Sequence, residues 1–299
     1  MSHLPLLVRR EFWEHRSFFI TPAIVAAIMI FAALINHLEF GRASIHLLEP
    51  EYAGKHYSIM TGILAGLALP YMIAMGFLIV FYLLDSLYAD RKDRSVLFWK
   101  SLPVSDTETV LSKLIVAGVV LPAVILVAAF VTSIICALIE SVRLSGMIEN
   151  VWRVIWLPPA WFSAQILLLY CFVVMILWYL PILAWLMLAS AWARRAVILW
   201  AILPPLMLVL LEDFAFNTNY VANMLRDRFL GWFELAIRHD GISEHFMMID
   251  GERIPMTGRI GDALDPGSFF SSPGLWIGLV VAAVFLWGAI LLRRRRSET

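Results

Sequence analysis

The chain has little charge and almost no cysteine for its length. Charged residues occupy 15% of its 299 positions, compared with roughly 25% in an ordinary soluble domain, while hydrophobic residues occupy 61%. This composition excludes a water-soluble globular protein, and it excludes a disordered chain, because disordered segments contain too little apolar surface to fold. The two cysteines, Cys136 and Cys171, lie in long apolar stretches, which excludes a disulfide framework or a cysteine zinc site. The sequence therefore predicts a membrane protein.

Sequence motifs for nucleotide, metal and hydrolase chemistry are also missing. The chain contains no G-x-x-x-x-G-K-[ST] loop and no Rossmann glycine pattern, so it cannot hold ATP in a phosphate-binding loop. Glu244 and His245 lack the second histidine of an H-E-x-x-H zinc helix, and Ser163 has no histidine partner in its own or an adjacent span. The formal net charge of +0 provides no basic field for nucleic acid. We therefore expect no enzyme activity, no cofactor, no metal site and no nucleic-acid partner.

Long uncharged runs are the dominant feature of the sequence. A helix needs about 20 predominantly apolar residues to cross a bilayer. The longest uncharged run, from Val154 to Ala193, exceeds one crossing and fits either one span or two. Counting it as one gives an all-α polytopic membrane domain over 1–299, with six spans predicted at 17–35, 59–84, 111–139, 163–190, 196–211 and 275–292.

The distribution of basic residues predicts the orientation of these spans. Cytoplasmic flanks carry an excess of Lys and Arg. Such clusters occur before the first span, between the second and third spans, and after the last span, at Arg9, Arg10, Arg16, Arg91, Lys92, Arg94, Lys100, Lys113 and Arg293 to Arg296. Both termini are therefore predicted to be cytoplasmic, which requires an even number of crossings of the cell's inner (plasma) membrane. The acid-rich connection 212–273 is predicted to be extracytoplasmic, with an amphipathic helix from Tyr220 to Arg238 on the outer surface.

Two further features concern the edges of the spans. The segment 1–16 mixes apolar and charged residues from Leu4 to Arg16, which is typical of an amphipathic helix in the membrane interface and also of a basic topology anchor. Glu140, Glu212 and Asp213 lie at the outer ends of spans. We interpret these acids as solvated helix ends rather than as a proton or substrate site, which disfavours a proton-driven carrier.

The predicted cytoplasmic loop 85–110 is strongly patterned. A charged stretch is followed by an apolar run, Pro103 ends any helix there, and Ser105 with Glu108 forms an S-x-x-E capping box that begins the next helix. A short apolar helix is thus predicted between two spans. It either enters the lipid headgroups or docks in a groove on another protein, and the pattern alone leaves both open.

This loop resembles the one in permease subunits of type 2 ABC transporters (the ABC-2 family). The resemblance is carried by the acids and bases after the second span, the short apolar helix and Ser-Leu-Pro-Val-Ser before the third span, within Asp90 to Lys113. Six spans, cytoplasmic termini and an amphipathic N-terminal helix agree with it. The long connection 212–273 departs from the family, which commonly has short re-entrant helices there.

The resemblance implies a function and a set of partners. It implies an exporter in which two permease chains, identical or related, form a path across the membrane, and in which separate ATPase subunits bind ATP and Mg²⁺. It also implies that 94–102 is a coupling helix that contacts the ATPase through Arg94, Val96, Leu97, Phe98, Trp99 and Leu102. By the same resemblance, Leu4 to Arg16 would be an interfacial elbow helix. A non-transporting assembly or sensor subunit is the alternative, although it would not need an apolar docking helix.

Overall fold

The computed structural model describes residues 3–35, 64–92, 105–145, 160–237, 246–249, 252–255 and 264–295, together with Trp152 and Trp156. Helices dominate this part of the chain. Their bounds are α1 Leu4–Glu14, α2 Ser17–Leu34, α3 Leu69–Lys92, α4 Asp106–Ile115, α5 Leu121–Leu144, α6 Ala160–Trp192, α7 Val197–Phe216, α8 Tyr220–Ala236, α9 Pro266–Ser271 and α10 Pro273–Arg295. A π-helical turn, Val116–Val120, joins α4 to α5 in one continuous rod.

Six helical segments are long and apolar enough to cross a membrane. They are Ser17–Leu34, Leu64–Lys92, Asp106–Arg143, Trp161–Trp192, Val197–Phe216 and Pro273–Arg295. The predicted fold class, an all-α polytopic membrane protein with six spans, is therefore confirmed.

Helix α6 lies at the centre of the bundle. It packs against α10 along most of their shared length and also against α3. Its 33 residues form one unbroken helix despite Pro181, so the long uncharged run contains one crossing rather than two. At 1.5 Å per residue the helix is about 50 Å long, whereas the hydrocarbon layer is about 30 Å thick. Helix α6 is therefore longer than one perpendicular crossing of the hydrocarbon layer requires.

The helices around the patterned loop extend further than the apolar runs do. Helix α3 continues to Lys92, and α4 begins at Asp106, so residues 85–92 and 106–110 of the predicted loop are helical. The capping box is confirmed: Glu108 N donates to Ser105 Oγ at 3.1 Å, and Ser105 N donates to Glu108 Oε2 at 3.1 Å. In the charged last turn of α3, Asp90 contacts Arg293 of α10, and Arg91 donates to the Ala193 carbonyl that follows α6. The segment 93–104 lies outside the described residues.

Much of the described part of the connection 212–273 is helical. Helix α7 continues to Phe216, and the predicted amphipathic helix is confirmed as α8. Strands β1 (Phe246–Ile249) and β2 (Glu252–Pro255) form a short antiparallel hairpin in which Phe246 pairs with Pro255. Helix α8 packs against the side of α6, since Tyr170 and Tyr179 of α6 donate to the carbonyls of Ala236 and Phe229.

The interpretation of Glu140 as a solvated helix end is wrong. Its side chain is 1% exposed, and Oε1 accepts a hydrogen bond from Arg143 Nη1 at 3.1 Å. The reason is that α5 extends past residue 139 and packs against α2, whose Ala33 carbonyl also accepts from Arg143.

Glu212 is also held by the protein rather than simply solvated. It accepts hydrogen bonds from the backbone N–H groups of Tyr220 and Val221 at 2.7 and 2.6 Å. Glu212 thereby satisfies free N–H groups at the start of α8. Asp213 is exposed, as expected.

Candidate coupling site

A charged cluster lies where α1, the end of α3, the start of α4 and the end of α10 meet. We call this end of the bundle the terminal face, because α1 and the last turn of α10 both lie there. The cluster consists of Glu11, Asp90, Asp106, Lys113 and Arg293. Three carboxylates thus face two cations within one group of contacts.

The most enclosed part of the cluster is the contact between Glu11 and Lys113. Helix α1 packs along α4 and turns Glu11 inward, toward Lys113. Lys113 Nζ lies 2.8 Å from Glu11 Oε1, and each side chain is 5% exposed. Tyr82 of α3 donates its hydroxyl to Glu11 Oε2 at 3.0 Å, while His15 Nε2 lies 3.8 Å from the same oxygen as an electrostatic contact. Both carboxylate oxygens therefore have partners.

These partners keep Glu11 ionised. Burial by itself raises the pKa of the Glu11 carboxyl. The adjacent His15, the charge and hydrogen bond of Lys113, and the Tyr82 hydroxyl outweigh burial, and together they lower the pKa from 4.5 to about 2. Glu11 is therefore a carboxylate at neutral pH, as a stable pairing with the Lys113 ammonium requires.

Arg293 connects the two sides of the segment 93–104. Its Nη1 lies 2.9 Å from Asp90 Oδ2, near the end of α3, and its Nε lies 3.0 Å from Asp106 Oδ1, at the start of α4. Lys113 Nζ also lies 3.6 Å from Asp90 Oδ1. The guanidinium can make both contacts because its donors have a fixed planar arrangement. The residues on both sides of the loop are thus attached to the last turn of α10.

The end of α3 is attached to α6 as well. Ser190 Oγ donates to the Leu84 carbonyl at 2.7 Å and accepts from the N–H groups of Leu87 and Tyr88. Arg91 Nη2 donates to the carbonyls of Ser190 and Ala193, the latter at 2.9 Å. A basic side chain at the carboxyl end of a helix satisfies terminal carbonyls and interacts favourably with the helix dipole. Displacement of the end of α3 would therefore act on α6 directly.

The predicted contact residues Arg94, Val96, Leu97, Phe98, Trp99 and Leu102 lie outside the described residues. The residues on both sides of this segment are described, because α3 ends at Lys92 directly before 93–104 and Ser105 directly follows it. The predicted N-terminal helix is present as Leu4–Glu14, and it packs on α4 next to this loop.

The charged cluster was not predicted as a site from the sequence. Arg293, Lys113 and Asp90 were interpreted only as charges outside the membrane, and Glu11 as part of an amphipathic pattern. Glu11 and Lys113 are 102 positions apart in sequence and Asp90 and Arg293 are 203 positions apart, so no local spacing could reveal these pairs. The one available signal was the inward-facing acid of α1, since Glu11 falls one helical turn after Leu7 on the same buried stripe.

A second polar contact lies between α6, α8 and the start of α10. Arg228 of α8 donates to the carbonyls of Trp178 and Gly274 at 3.2 and 2.8 Å, and its guanidinium carbon lies 4.4 Å from the centre of the Trp178 ring. Trp178 Nε1 donates to the Arg228 carbonyl at 3.0 Å. Gly278 provides the space, because a Cβ there would lie 2.6 Å from Arg228 Nη2. This contact fixes α8 against two spans.

Comparisons of the sequence with protein-family models and curated proteins, and of the fold with solved structures, give no match. Within the described part of the chain, no group of three or more His, Cys, Asp or Glu side chains is arranged to hold a metal ion. The fold and composition define the class: a polytopic helical membrane protein, with a buried charged cluster at the end of the bundle where α1 and α10 meet.

Proposed function

We propose that this chain is the membrane-spanning permease subunit of an ATP-driven ABC exporter. Two permease chains would form the translocation path in the inner membrane, with both termini in the cytoplasm. Two separate ATPase subunits would bind and hydrolyse ATP, and the short helix predicted within 94–102 would dock on them. The chain itself would hydrolyse no ATP.

One observation carries this proposal: Arg293 binds Asp90 and Asp106 on the two sides of the segment 93–104. The buried Glu11–Lys113 pair continues the connection to α1, and Ser190 and Arg91 continue it to α6. A force applied to the loop by an ATPase would therefore reach four spans and the N-terminal helix together. Rigid-body movement of packed helices is a common way to change the side that a membrane path faces.

The surface of α7 supports the pairing of two chains. Its apolar side chains are largely exposed, including Leu199, Leu203, Leu206 and Leu210, and among the residues of α7 only Val197 and Ala201 are buried within one chain. In the proposed dimer, part of this helix would contact the second copy and the remainder would face lipid.

The proposal is tested by recovery of the ATPase with the purified permease in detergent, at matched expression. Trp99→Ala and Phe98→Ala are each expected to weaken the complex by about 1 to 4 kcal/mol, because aromatic anchors dominate interface energies. Lys100→Glu is the control, with a smaller expected effect, since a charge at a solvated rim is screened.

If Trp99→Ala and Phe98→Ala recover as much ATPase as the unmodified chain, the coupling-helix assignment fails. A helix that only rests on the membrane predicts that result, because its aromatic side chains would contact lipid instead. An assembly or sensor subunit predicts that no ATPase copurifies with the unmodified chain.

A further inference from the structure

An apolar pocket opens between α1 and the rod formed by α4, the π turn and α5. Its volume is about 390 Å³. Helix α1 contributes Leu4, Pro5, Val8 and Phe12 to its wall, and the rod contributes Ile115 and Val120. Arg9 is the one charged residue in the lining. The pocket is therefore a hydrophobic cleft with a guanidinium beside it.

The π turn determines the shape of this pocket. Pro122 has no N–H group, and its ring would clash with the carbonyl four residues earlier, so regular α-helical bonding cannot continue through it. Leu121 N instead donates to the Val116 carbonyl, five residues back. In a regular α-helix, Ile115 and Val120 would point about 140° apart, whereas a π turn brings residues five apart toward the same side. The turn thus allows both side chains to line one cleft.

The aromatic residues beside the pocket indicate its depth in the membrane. Phe12 contacts Phe19 near the start of α2, with ring centroids 4.6 Å apart. Trp13 is 68% exposed on the neighbouring side of α1. Tryptophan prefers the boundary between headgroups and acyl chains. The pocket therefore opens near this boundary, where phospholipid is the most abundant apolar molecule.

The charge of the surroundings restricts the occupant further. Arg9 is exposed, and it has no carboxylate partner among the residues that the structure describes. Exposed Arg16 adds a second positive charge to the same segment. Basic residues next to a membrane surface attract anionic lipids.

We propose that this pocket binds one anionic phospholipid from the adjoining leaflet. An acyl chain would lie between Val8, Phe12, Ile115 and Val120, and Arg9 would contact the headgroup phosphate. The lipid would contact the face of α1 that lines the pocket, while Glu11 on the buried face of α1 binds Lys113. This site does not depend on the proposed transport function, and its test involves no ATPase.

The test is native mass spectrometry of the purified full-length chain in detergent, titrated with phosphatidylglycerol or phosphatidylcholine. Val120→Trp fills the pocket. Val119→Trp is the matched control, because Val119 is 58% exposed on the same π turn and does not line the pocket. The unmodified chain and Val119→Trp are expected to retain one phosphatidylglycerol each, and Val120→Trp is expected to lose it.

Arg9→Ala tests the headgroup contact without altering the packing of the rod. It is expected to weaken phosphatidylglycerol binding about fivefold, the effect of one basic residue at an anionic surface, and Arg16→Ala is expected to weaken it less. Equal retention by Val119→Trp and Val120→Trp would overturn the site and indicate nonspecific lipid only. If Val120→Trp does not fold, unchanged binding by Arg9→Ala, or equal affinity for the two lipids, would overturn it instead.

Discussion

Glu11 and Lys113 form a buried ion pair across 102 positions of sequence, with 2.8 Å between Lys113 Nζ and Glu11 Oε1. The pair joins the N-terminal helix to the helix that leads into the third span. It is one contact in a cluster that also attaches the end of the last span to the residues on both sides of the segment 93–104. The terminal face is therefore held together by charge as well as by apolar packing.

Removal of the lysine should be costly. Lys113→Met leaves the Glu11 carboxylate buried without its cation. Because a buried unpaired charge is costly, this change is expected to lower the free energy of unfolding by about 3 to 5 kcal/mol. The double variant Glu11→Gln with Lys113→Met should lose less than the sum of the single changes, because each single change leaves a partner unpaired. Denaturant unfolding in mixed micelles measures these differences.

The control for this experiment is Arg10→Ala. Arg10 and Glu14 form an exposed pair on the same helix, with side chains 37% and 52% exposed. Such pairs contribute less than about 1 kcal/mol. A loss for Lys113→Met that is as small as the loss for Arg10→Ala would contradict the buried pairing.

Stability should depend on Glu11 at acid pH. The pKa of this carboxyl is lowered from 4.5 to about 2 in the folded protein. Ionised Glu11 therefore stabilises the folded state by about 3 kcal/mol above pH 4.5. This stabilisation is lost as the pH falls from 4.5 toward 2. Unfolding midpoints between pH 2 and 5 should show a shallower acid limb for Glu11→Gln than for Glu14→Gln, an exposed acid on the same helix. If the acid limbs of Glu11→Gln and Glu14→Gln are identical, Glu11 is not the source of the acid sensitivity.

Arg293 should be required for coupling rather than for ATPase binding. Arg293→Lys keeps the positive charge, but a lysine lacks the planar arrangement of donors that reaches both Asp90 and Asp106. In the reconstituted complex, ATPase recovery should be unchanged while the effect of the permease on the ATP hydrolysis rate is reduced. Arg294→Lys is the matched control. If the Arg293→Lys permease changes the ATP hydrolysis rate as much as the unmodified permease does, the proposed transmission through Arg293 is contradicted.

The space at Gly278 should be necessary for the Arg228 contact. In Gly278→Ala the new Cβ would lie 2.6 Å from Arg228 Nη2, so the guanidinium must leave the Trp178 and Gly274 carbonyls. A loss of about 2 kcal/mol in unfolding free energy is expected, as for hydrogen bonds of a charged group. In the Arg228→Ala background the same change should add almost nothing.

Gly76→Ala provides the comparison for that experiment. A Cβ at Gly76 meets no atom within 4 Å, so the helix preference for alanine should leave stability unchanged or raise it by up to about 1 kcal/mol. Equal effects of Gly76→Ala and Gly278→Ala would show that the steric argument is wrong.

The orientation of the chain is tested by single cysteines in intact cells. After Cys136 and Cys171 are replaced by alanine, Ser243→Cys should react with a membrane-impermeant thiol reagent, because 212–273 is predicted to be extracytoplasmic. Glu14→Cys on α1 should react only after lysis. Labelling of Ser243→Cys only after lysis would reject the predicted topology.

The sequence alone was sufficient for the membrane class, the six spans, the amphipathic helix α8 and the capping box at Ser105. Each of these follows from a local pattern: an uncharged run of bilayer length, helical spacing of apolar residues, or an S-x-x-E motif. Local patterns are reliable here because neighbouring residues in the chain are also neighbours in the helix. They also led to the correct prediction of one crossing between Val154 and Ala193.

The tertiary structure decided which charges are buried. The sequence predicts that Glu140 and Asp213 are both solvated, yet Glu140 is enclosed, as is Glu11 of α1, while Asp213 is exposed. Glu140 pairs with Arg143 one helical turn away and is enclosed by the packing of α5 against α2, whereas the cations of Glu11 and Asp90, Lys113 and Arg293, come from distant parts of the chain. Such partners meet only when the spans pack, since the free energy of enclosing a charge is set by the atoms around it and not by its neighbours in sequence.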